Sequence, residues 1–551
     1  MRDFSSARQE GFEEVQRLAG DTKLVLCDDY LDSRISAVNA KALEDRFPFL
    51  LLKPSGPKIW VGPLIVPGDG ACWQCLRYRL VENRWSDHQT WRDGGPVDTY
   101  IEELQADIAE KLLRSVSQCL LQFRASGTSP LQSCLCIIHT QSGREEQHPI
   151  VRRTHCPACR EFGSPRLWTD AAPEASVYQR LMQQYSSVTG ILSNLKNVSG
   201  DEWLPVHVAS CDCTLPLDPR EPLMGSPPEK CAGRGRSLSD AVLGCLAEGV
   251  ERYSSFYQDG VAIRRDTLEG LGASALDPRT LCAPSAKEVW GPLDTSGDGL
   301  VPVSYDPSRP IDWVLAEGLG NSPAKWVPAA YVYLRHLEQG HTFCVSNSSG
   351  CAAGSTLESA TSSALLELVE REALAIWWHH RNLRPRIRWQ EFEGTWLEEI
   401  PELFRRQGLR VWLLDLTHDW NLPVVAAVCC QRDSGATLVG ATCAPSFQQA
   451  AESAVTELIQ VVIGTRRCTD HDVGLVVSQA PGRQIGEHPF VLGFESNGEL
   501  PIHTEEIPWS GGEATTLGLS GESDARGYRD PGGTRCRTGN GVEASTQHQE
   551  P

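Results

Sequence analysis

The sequence predicts an α/β protein of two domains followed by a divergent, disordered tail, and three observations carry that reading. Its 551 residues exceed what one ordinary core accommodates. Short apolar runs of strand type alternate with longer segments of helical spacing over most of the chain. After Cys468 the character changes, and from Pro508 to Pro551 a composition rich in Gly, Ser, Thr, Glu and Arg shows almost no apolar pattern.

Residues 1–20 form a short polar segment, with Glu10, Glu13 and Glu14 where a signal peptide would need an apolar core. No run of roughly 18 apolar residues occurs, so no membrane span is expected. A cytoplasmic location follows as the expectation. The hydrophobic share of 40% and charged share of 22% are ordinary for a globular protein. A net charge of -20 argues against nucleic-acid binding, which usually leaves a basic footprint. In a reducing cytosol the 20 cysteines call for roles other than disulfides, and most read as small core residues.

The first domain, 21–171, opens with the strand-like runs "TKLVLC" and "PFLLLKP". A long helical segment follows, with Ile101, Leu104, Ile108 and Leu112 on one side, and then the strand-like Leu135 to His139. No glycine-rich phosphate loop opens a helix here, so no nucleotide is expected in this domain. Strands and helices alternate again over 172–468. Two helices there repeat Glu-x-Val-Glu-Arg, at Glu248 to Arg252 and at Glu367 to Arg371. Each follows a glycine-containing segment, which suggests a pseudo-symmetric domain with a site between its halves. A third helix places Glu457 and Gln460 on one face.

"CWQC" and "CPAC" place Cys72, Cys75, Cys156 and Cys159 at the ends of two Cys-x-x-Cys turns. Two such knuckles can complete a tetrahedral all-thiolate shell, which suits a structural zinc ion with no open position for water. Redox disulfides are the other use of the motif. His155 reads as a neighbour of the site. The pairs Cys211 and Cys213, Cys429 and Cys430, and Cys134 and Cys136 read as core residues. The Trp377-Trp378-His379-His380 cluster reads as packing.

Glu248 with Glu251, and Glu367 with Glu370, are i,i+3 pairs, so each helix presents two carboxylates on one face. Hard oxygen ligands of this kind suit Mg2+ bound together with nucleotide phosphates, and Arg252 and Arg371 stand beside them for phosphate charge. A Glu and an Arg at i,i+4 otherwise make an ordinary surface ion pair, and the repetition is what favours a site.

At these residues the chain resembles a known family. The stretch from Asp28 to Arg84, with "HCPAC" at His155 to Cys159, is similar to the N-terminal part of fused azoline-forming cyclodehydratases, such as the cyanobactin heterocyclases and relatives making thiazole/oxazole-modified peptides. "SSGCAAGSTLESATSSALLELVEREALAIWWHHR", "VWLLDLTHDWNLPVVAAV" and the "TELIQ" ending at Gln460 resemble the YcaO domain. The resemblance implies an E1-like zinc domain over 21–171 that presents peptide and has lost adenylation. It implies a pseudo-symmetric YcaO domain over 172–468 that binds Mg-ATP without a Walker motif, and a tail over 469–551 outside the likeness. It implies Mg2+ ligation by Glu248, Glu251, Glu367 and Glu370, phosphate contact by Arg371, nucleotide lining by Gln460, and Ser237 near the adenosine. No catalytic residue is assigned. The implied partners are a precursor peptide, a separate leader-peptide-binding protein, a flavin-dependent azoline dehydrogenase of peptide natural product or bacteriocin biosynthesis, and a second copy in a homodimer.

The chain also departs from that family. Its usual Gly-Lys-Gly reads Gly233-Arg234-Gly235, and "GSTLESA" carries Ser355 and Ser359 at the polar positions, with Glu358 one residue off. Ser453 stands where an Arg is expected. The short segment before Asp21 is not enough for a leader-gripping winged helix, and the chain ends in "QHQEP" where homologues carry a proline-rich terminus. Two readings follow: an active ATP-dependent cyclodehydratase, or a degenerate or truncated YcaO protein that binds a peptide or partner as a scaffold. YcaO thioamide or amidine formation is a third, and the cyclodehydratase-like zinc domain argues against it.

Overall fold

The computed structural model describes residues 15–468 apart from 16, 84–105, 163–173, 200–203, 217–226, 259, 282–304, 335, 337–342, 345, 381 and 432–436, and beyond them the strands at 502–507, 534–537 and 543–546. The upstream half of the long helical segment, with Ile101 and Leu104, lies outside the described residues, as do the ends of the chain.

The N-terminal unit is one five-stranded sheet in sequence order, β1 to β5: Lys23–Leu26, Phe49–Lys53, Lys58–Ile65, Cys134–His139 and Glu145–Pro149. β1 and β2 are parallel and joined by helix α1 (Arg34–Asp45), as a parallel pair requires a crossover. The remaining pairs are antiparallel. β2 and β3 are apolar almost throughout because both faces of the sheet are covered. Side chains alternate between two cores. Phe49, Leu51, Trp60 and Ile137 face α1 and helix α2 (Trp73–Asn83), while Leu50, Leu52, Val61 and Ile138 face helix α3 (Ala106–Ser126).

After the short helix α4 (Glu174–Met182), strands β6 (Leu192–Asn197), β7 (His207–Cys213) and β8 (Glu229–Gly235) form an antiparallel sheet backed by helix α5 (Leu238–Ser254). Cys211, Cys213, Cys231 and Cys245 are all buried in the core between them. A small sheet, β9 (Arg264–Asp266), β10 (Ile311–Ala316) and β11 (Lys325–Pro328), follows. The larger sheet is ordered β15-β14-β13-β12-β16, with β12 at Arg384–Ile387, β13 at Leu409–Asp415, β14 at Val424–Gln431, β15 at Thr437–Cys443 and β16 at Ile502–Ile507. Helices α6 (Leu357–His380), α7 (Ile400–Arg406) and α8 (Phe447–Cys468) pack on it. Alternation along β14 again decides which helix meets which face. Val425, Ala427 and Cys429 pack with α8, while Val424, Ala426 and Val428 pack with α6. Trp377 sits in the α6 core with 1% exposure, so the tryptophan cluster serves packing.

In the tail, expected to be largely disordered, the described residues form β16, which pairs in parallel with β12, and an antiparallel pair, β17 (Thr534–Arg537) with β18 (Glu543–Thr546). In that parallel pairing Arg384 stands opposite Ile502, Arg386 opposite Glu506 and Ile387 opposite Ile507, so the strand covers the edge of β12.

Two strand-to-helix junctions allow no side chain. A Cβ on Gly233 would overlap the α5 backbone at Ala241 and Cys245, and one on Gly440 would overlap α8 at Leu458. Gly233→Ala is therefore expected to destabilise the fold by about 1–3 kcal/mol through overpacking, read as a lower urea midpoint with unchanged slope.

Candidate metal and nucleotide sites

Cys72 lies just before α2 and Cys75 in its first turn, while Cys156 and Cys159 sit on a tight turn after β5. The fold brings the two knuckles together. The Sγ atoms of Cys72 and Cys156, and of Cys75 and Cys159, are 3.7 Å apart, and those of Cys72 and Cys75 are 3.9 Å apart. A tetrahedron with zinc–sulfur bonds of about 2.3 Å has edges of about 3.8 Å, so the spacing fits a tetrathiolate zinc shell. All four are buried, with at most 3% exposure, so solvent has no route to a bound ion. Hydrogen bonds from Cys159, Cys72 and Cys75 hold the Cys156 thiol well below its ordinary value, while hydrogen bonds with Cys156 and Cys159 push Cys72 and Cys75 up. The Arg153 backbone N–H donates to Cys75 Sγ at 3.4 Å. Burial, aided by the Arg153 charge, pushes His155 down to about 4. That imidazole is not among the clustered ligands.

The second cluster lies where α5, α6 and α8 converge. Each repeated glutamate has one oxygen tethered by a backbone N–H. Glu248 accepts from Ala232 at 3.1 Å and Glu367 from Gly350 at 3.3 Å, each from the segment leading into its own helix. Glu251 accepts from Ala353 at 3.1 Å and Glu370 from Cys443 at 3.4 Å, each from a segment further along the chain. Glu251 thus links α5 to the segment leading into α6, and Glu370 links α6 to the end of β15. Arg252 lies 3.2 Å from Glu248, and Arg371 lies 3.4 Å from Glu367 and 3.5 Å from Glu370. The ion-pair reading of the motif is therefore realised, alongside the clustering.

Electrostatics mark the cluster out. Burial first, and then Glu367 and Glu248, push Glu251 up to about 8. Burial and then Glu457 push Glu370 up to about 8, against the opposing pull of Arg371. Burial also raises Glu248 and Glu367. Glu457, which shares a face of its helix with Gln460, thereby joins the set as a fifth carboxylate beyond the four of the repeated motif. Arg234 reaches across from β8 to Glu457 at 3.3 Å and Gln460 at 3.2 Å. An all-oxygen set that is both buried and crowded with negative charge suits hard divalent cations such as Mg2+. Ser237 is the N-cap of α5, in a capping box with Asp240. Ser359 and Thr356 cap each other's backbone N–H groups at the start of α6, and Glu358 is exposed.

Residues 232–499 match the sequence profile of a family described as YcaO cyclodehydratase, ATP- and Mg2+-binding. Residues 232–499 are a YcaO domain. The match begins at Ala232, the residue that tethers Glu248, and runs past Cys468, where the likeness ended in the sequence reading. The whole architecture is similar to a solved heterocyclase in complex with substrate and cofactor. That match has 26% identity and a TM-score of 0.68, covering 84% of this chain and 67% of that one. It is also similar to the heterocyclase TruD, with 25% identity, a TM-score of 0.62, and coverage of 87% and 68%. An uncharacterised protein of Methanothermobacter thermautotrophicus is 26% identical over 201 residues, 36% of this chain. The chain spans 47% of that relative's length. No helix among the described residues is long and apolar enough to cross a membrane.

Two outcomes follow. Cys156→Ser is expected to drop the zinc content of purified protein from stoichiometric to substoichiometric by emission spectrometry, since the remaining donors cannot complete the shell. With Glu251 and Glu370 titrating near 8, both hold protons at pH 7, and a bound divalent cation displaces them. Calorimetry of Mg-ATP binding in buffers of different ionisation enthalpy should therefore show proton release at pH 7 that fades as the pH rises past about 8.

Proposed function

We propose that the chain is an ATP-dependent cyclodehydratase that closes thiazoline or oxazoline rings at Cys, Ser or Thr residues of a ribosomally made precursor peptide. The observation that carries this is the convergence of Glu248, Glu251, Glu367, Glu370 and Glu457 from three helices, within a domain whose family binds ATP and Mg2+.

The chemistry asked of such a site is modest in bond-making and heavy in charge. The peptide nucleophile adds to the preceding amide carbonyl, the resulting oxygen takes the γ-phosphoryl group of ATP with ADP leaving, and expulsion of phosphate leaves the azoline. Mg2+ held by the glutamates would offset charge on the transferring phosphoryl group. The chain's own part is positioning. Backbone N–H tethers at Ala232, Gly350, Ala353 and Cys443 fix one oxygen of each carboxylate, while the second oxygen of Glu248 faces Arg252 and those of Glu367 and Glu370 face Arg371, contacts that a bound cation would have to share. In this reading Arg371 stands ready for phosphate, Gln460 and the Ser237 turn border the nucleotide, and residues 21–171 form a zinc-stabilised scaffold for peptide. The reaction's need for ATP and for reduced thiols suits the cytoplasm. A leader-peptide-binding protein, a flavin-dependent dehydrogenase and a second copy of the chain are the partners this chemistry would use.

The scaffold reading keeps one specific observation in its favour. Arg234 fills the space between Glu457 and Gln460, and a guanidinium there is not equivalent to the ammonium of the usual Lys. Calorimetry with Mg-ATP separates the readings. The parent is expected to bind, and Glu370→Gln to lose at least tenfold in affinity, about 1.4 kcal/mol. Absence of binding in folded, zinc-loaded parent protein leaves the scaffold reading standing.

A further inference from the structure

The two clusters are joined by a buried polar contact that neither site requires for its own ligands. Helix α2 begins at the zinc knuckle and ends against the second domain. Near its end, Glu82 is buried with 1% exposure, and both its oxygens accept from the Tyr253 hydroxyl, at 3.0 and 3.2 Å. Tyr253 is on α5, two residues after Glu251. Arg79, one turn before Glu82, lies 3.3 Å from the same carboxylate and 4.6 Å over the Tyr253 ring. Arg153, whose backbone N–H donates to Cys75 Sγ, stacks at 3.8 Å on the ring of Tyr78. Asn83 continues the seam, donating to the Gly190 carbonyl and accepting from Thr214.

The charges explain why such groups are buried together. Arg79 and Arg153 are about 95% buried, and Nε and Nη1 of Arg153 have no hydrogen-bond partner. Two guanidinium groups against one carboxylate leave an excess of positive charge inside the protein, which is costly alone. A zinc ion with four thiolates carries net negative charge. With metal in the cysteines, the arginine pair faces an anionic centre. Without it, the pair and the Glu82–Tyr253 bond lose that counter-charge.

We propose that Glu82 and Tyr253 couple the four-cysteine centre to helix α5, so that metal in the cysteines pre-orders Glu248 and Glu251 for the nucleotide. Tyr253 is a positioning residue in this account, acting through α5 without touching nucleotide. The coupling to nucleotide rests on the proposed ATP chemistry. The coupling to α5 does not.

The test uses the full chain and Tyr253→Phe, which keeps the ring under Arg79 and removes only the hydroxyl. Coupling is reciprocal, so Mg-ATP should slow zinc release to a chromogenic chelator by about fivefold or more in the parent. It should leave the release rate of Tyr253→Phe unchanged, although that variant still binds Mg-ATP. In parallel, hydrogen exchange of the α5 amides, which needs no nucleotide, should quicken on zinc removal in the parent and be insensitive to zinc in the variant. Equal slowing of zinc release in both proteins, or parental α5 exchange indifferent to zinc, overturns the coupling. A parent that binds no Mg-ATP yet shows zinc-dependent α5 exchange sinks the nucleotide reading and retains the mechanical link.

Discussion

The burial of carboxylates beside one another is the constraint around which the second domain is organised. Five glutamates from three helices converge, and burial first, then their neighbours' charge, pushes Glu251 and Glu370 up to about 8. An unliganded fold tolerates this because each repeated glutamate receives a backbone N–H, and because Arg252, Arg371 and Arg234 sit at the margins. The tethers demand that strands and glycine-containing segments run tightly against the helices, which is why Gly233 and Gly440 admit no side chain. The same repulsion is what a divalent cation relieves. Strain in the unliganded state and affinity in the liganded state are then two aspects of one arrangement.

The N-terminal unit solves a different problem. Its sheet is covered on both faces, and the cysteine cluster closes the end of the core that contains α1 and α2. Both knuckles are short turns that could not hold their geometry alone, and a tetrathiolate ion would substitute for the missing packing. Because α2 carries Cys75 at one end and Glu82 at the other, the cysteine cluster lies one helix away from α5.

Much of this was legible in the sequence, for physical reasons that can be named. The paired Cys-x-x-Cys turns and the i,i+3 glutamates are local geometries, so spacing alone announced them. The strand through Leu135 to His139 is strongly apolar and was recognisable from that pattern. What escaped was non-local. Glu457 belongs to the carboxylate cluster only because α8 crosses behind β15, and nothing in "TELIQ" states which helices it faces. The Glu82–Tyr253 bond spans 171 residues, and each partner reads in isolation as an ordinary helix residue. Ile502–Ile507 lies just before the Gly- and Ser-rich stretch, and its pairing depends on the edge of β12, more than a hundred residues earlier in the chain. Ser237 and Ser359 illustrate the converse: both lie in motif segments, and both hydroxyls are engaged in helix capping.

The central claim is that these glutamates hold divalent cations against a nucleotide, and location of the ions tests it most directly. Crystals grown with Mn2+ and a non-hydrolysable ATP analogue should give anomalous peaks between α5, α6 and α8, within bonding distance of oxygens from Glu248 or Glu251 and from Glu367, Glu370 or Glu457. Peaks confined to other surfaces, or a nucleotide bound elsewhere with the carboxylates left as they are, would contradict the account.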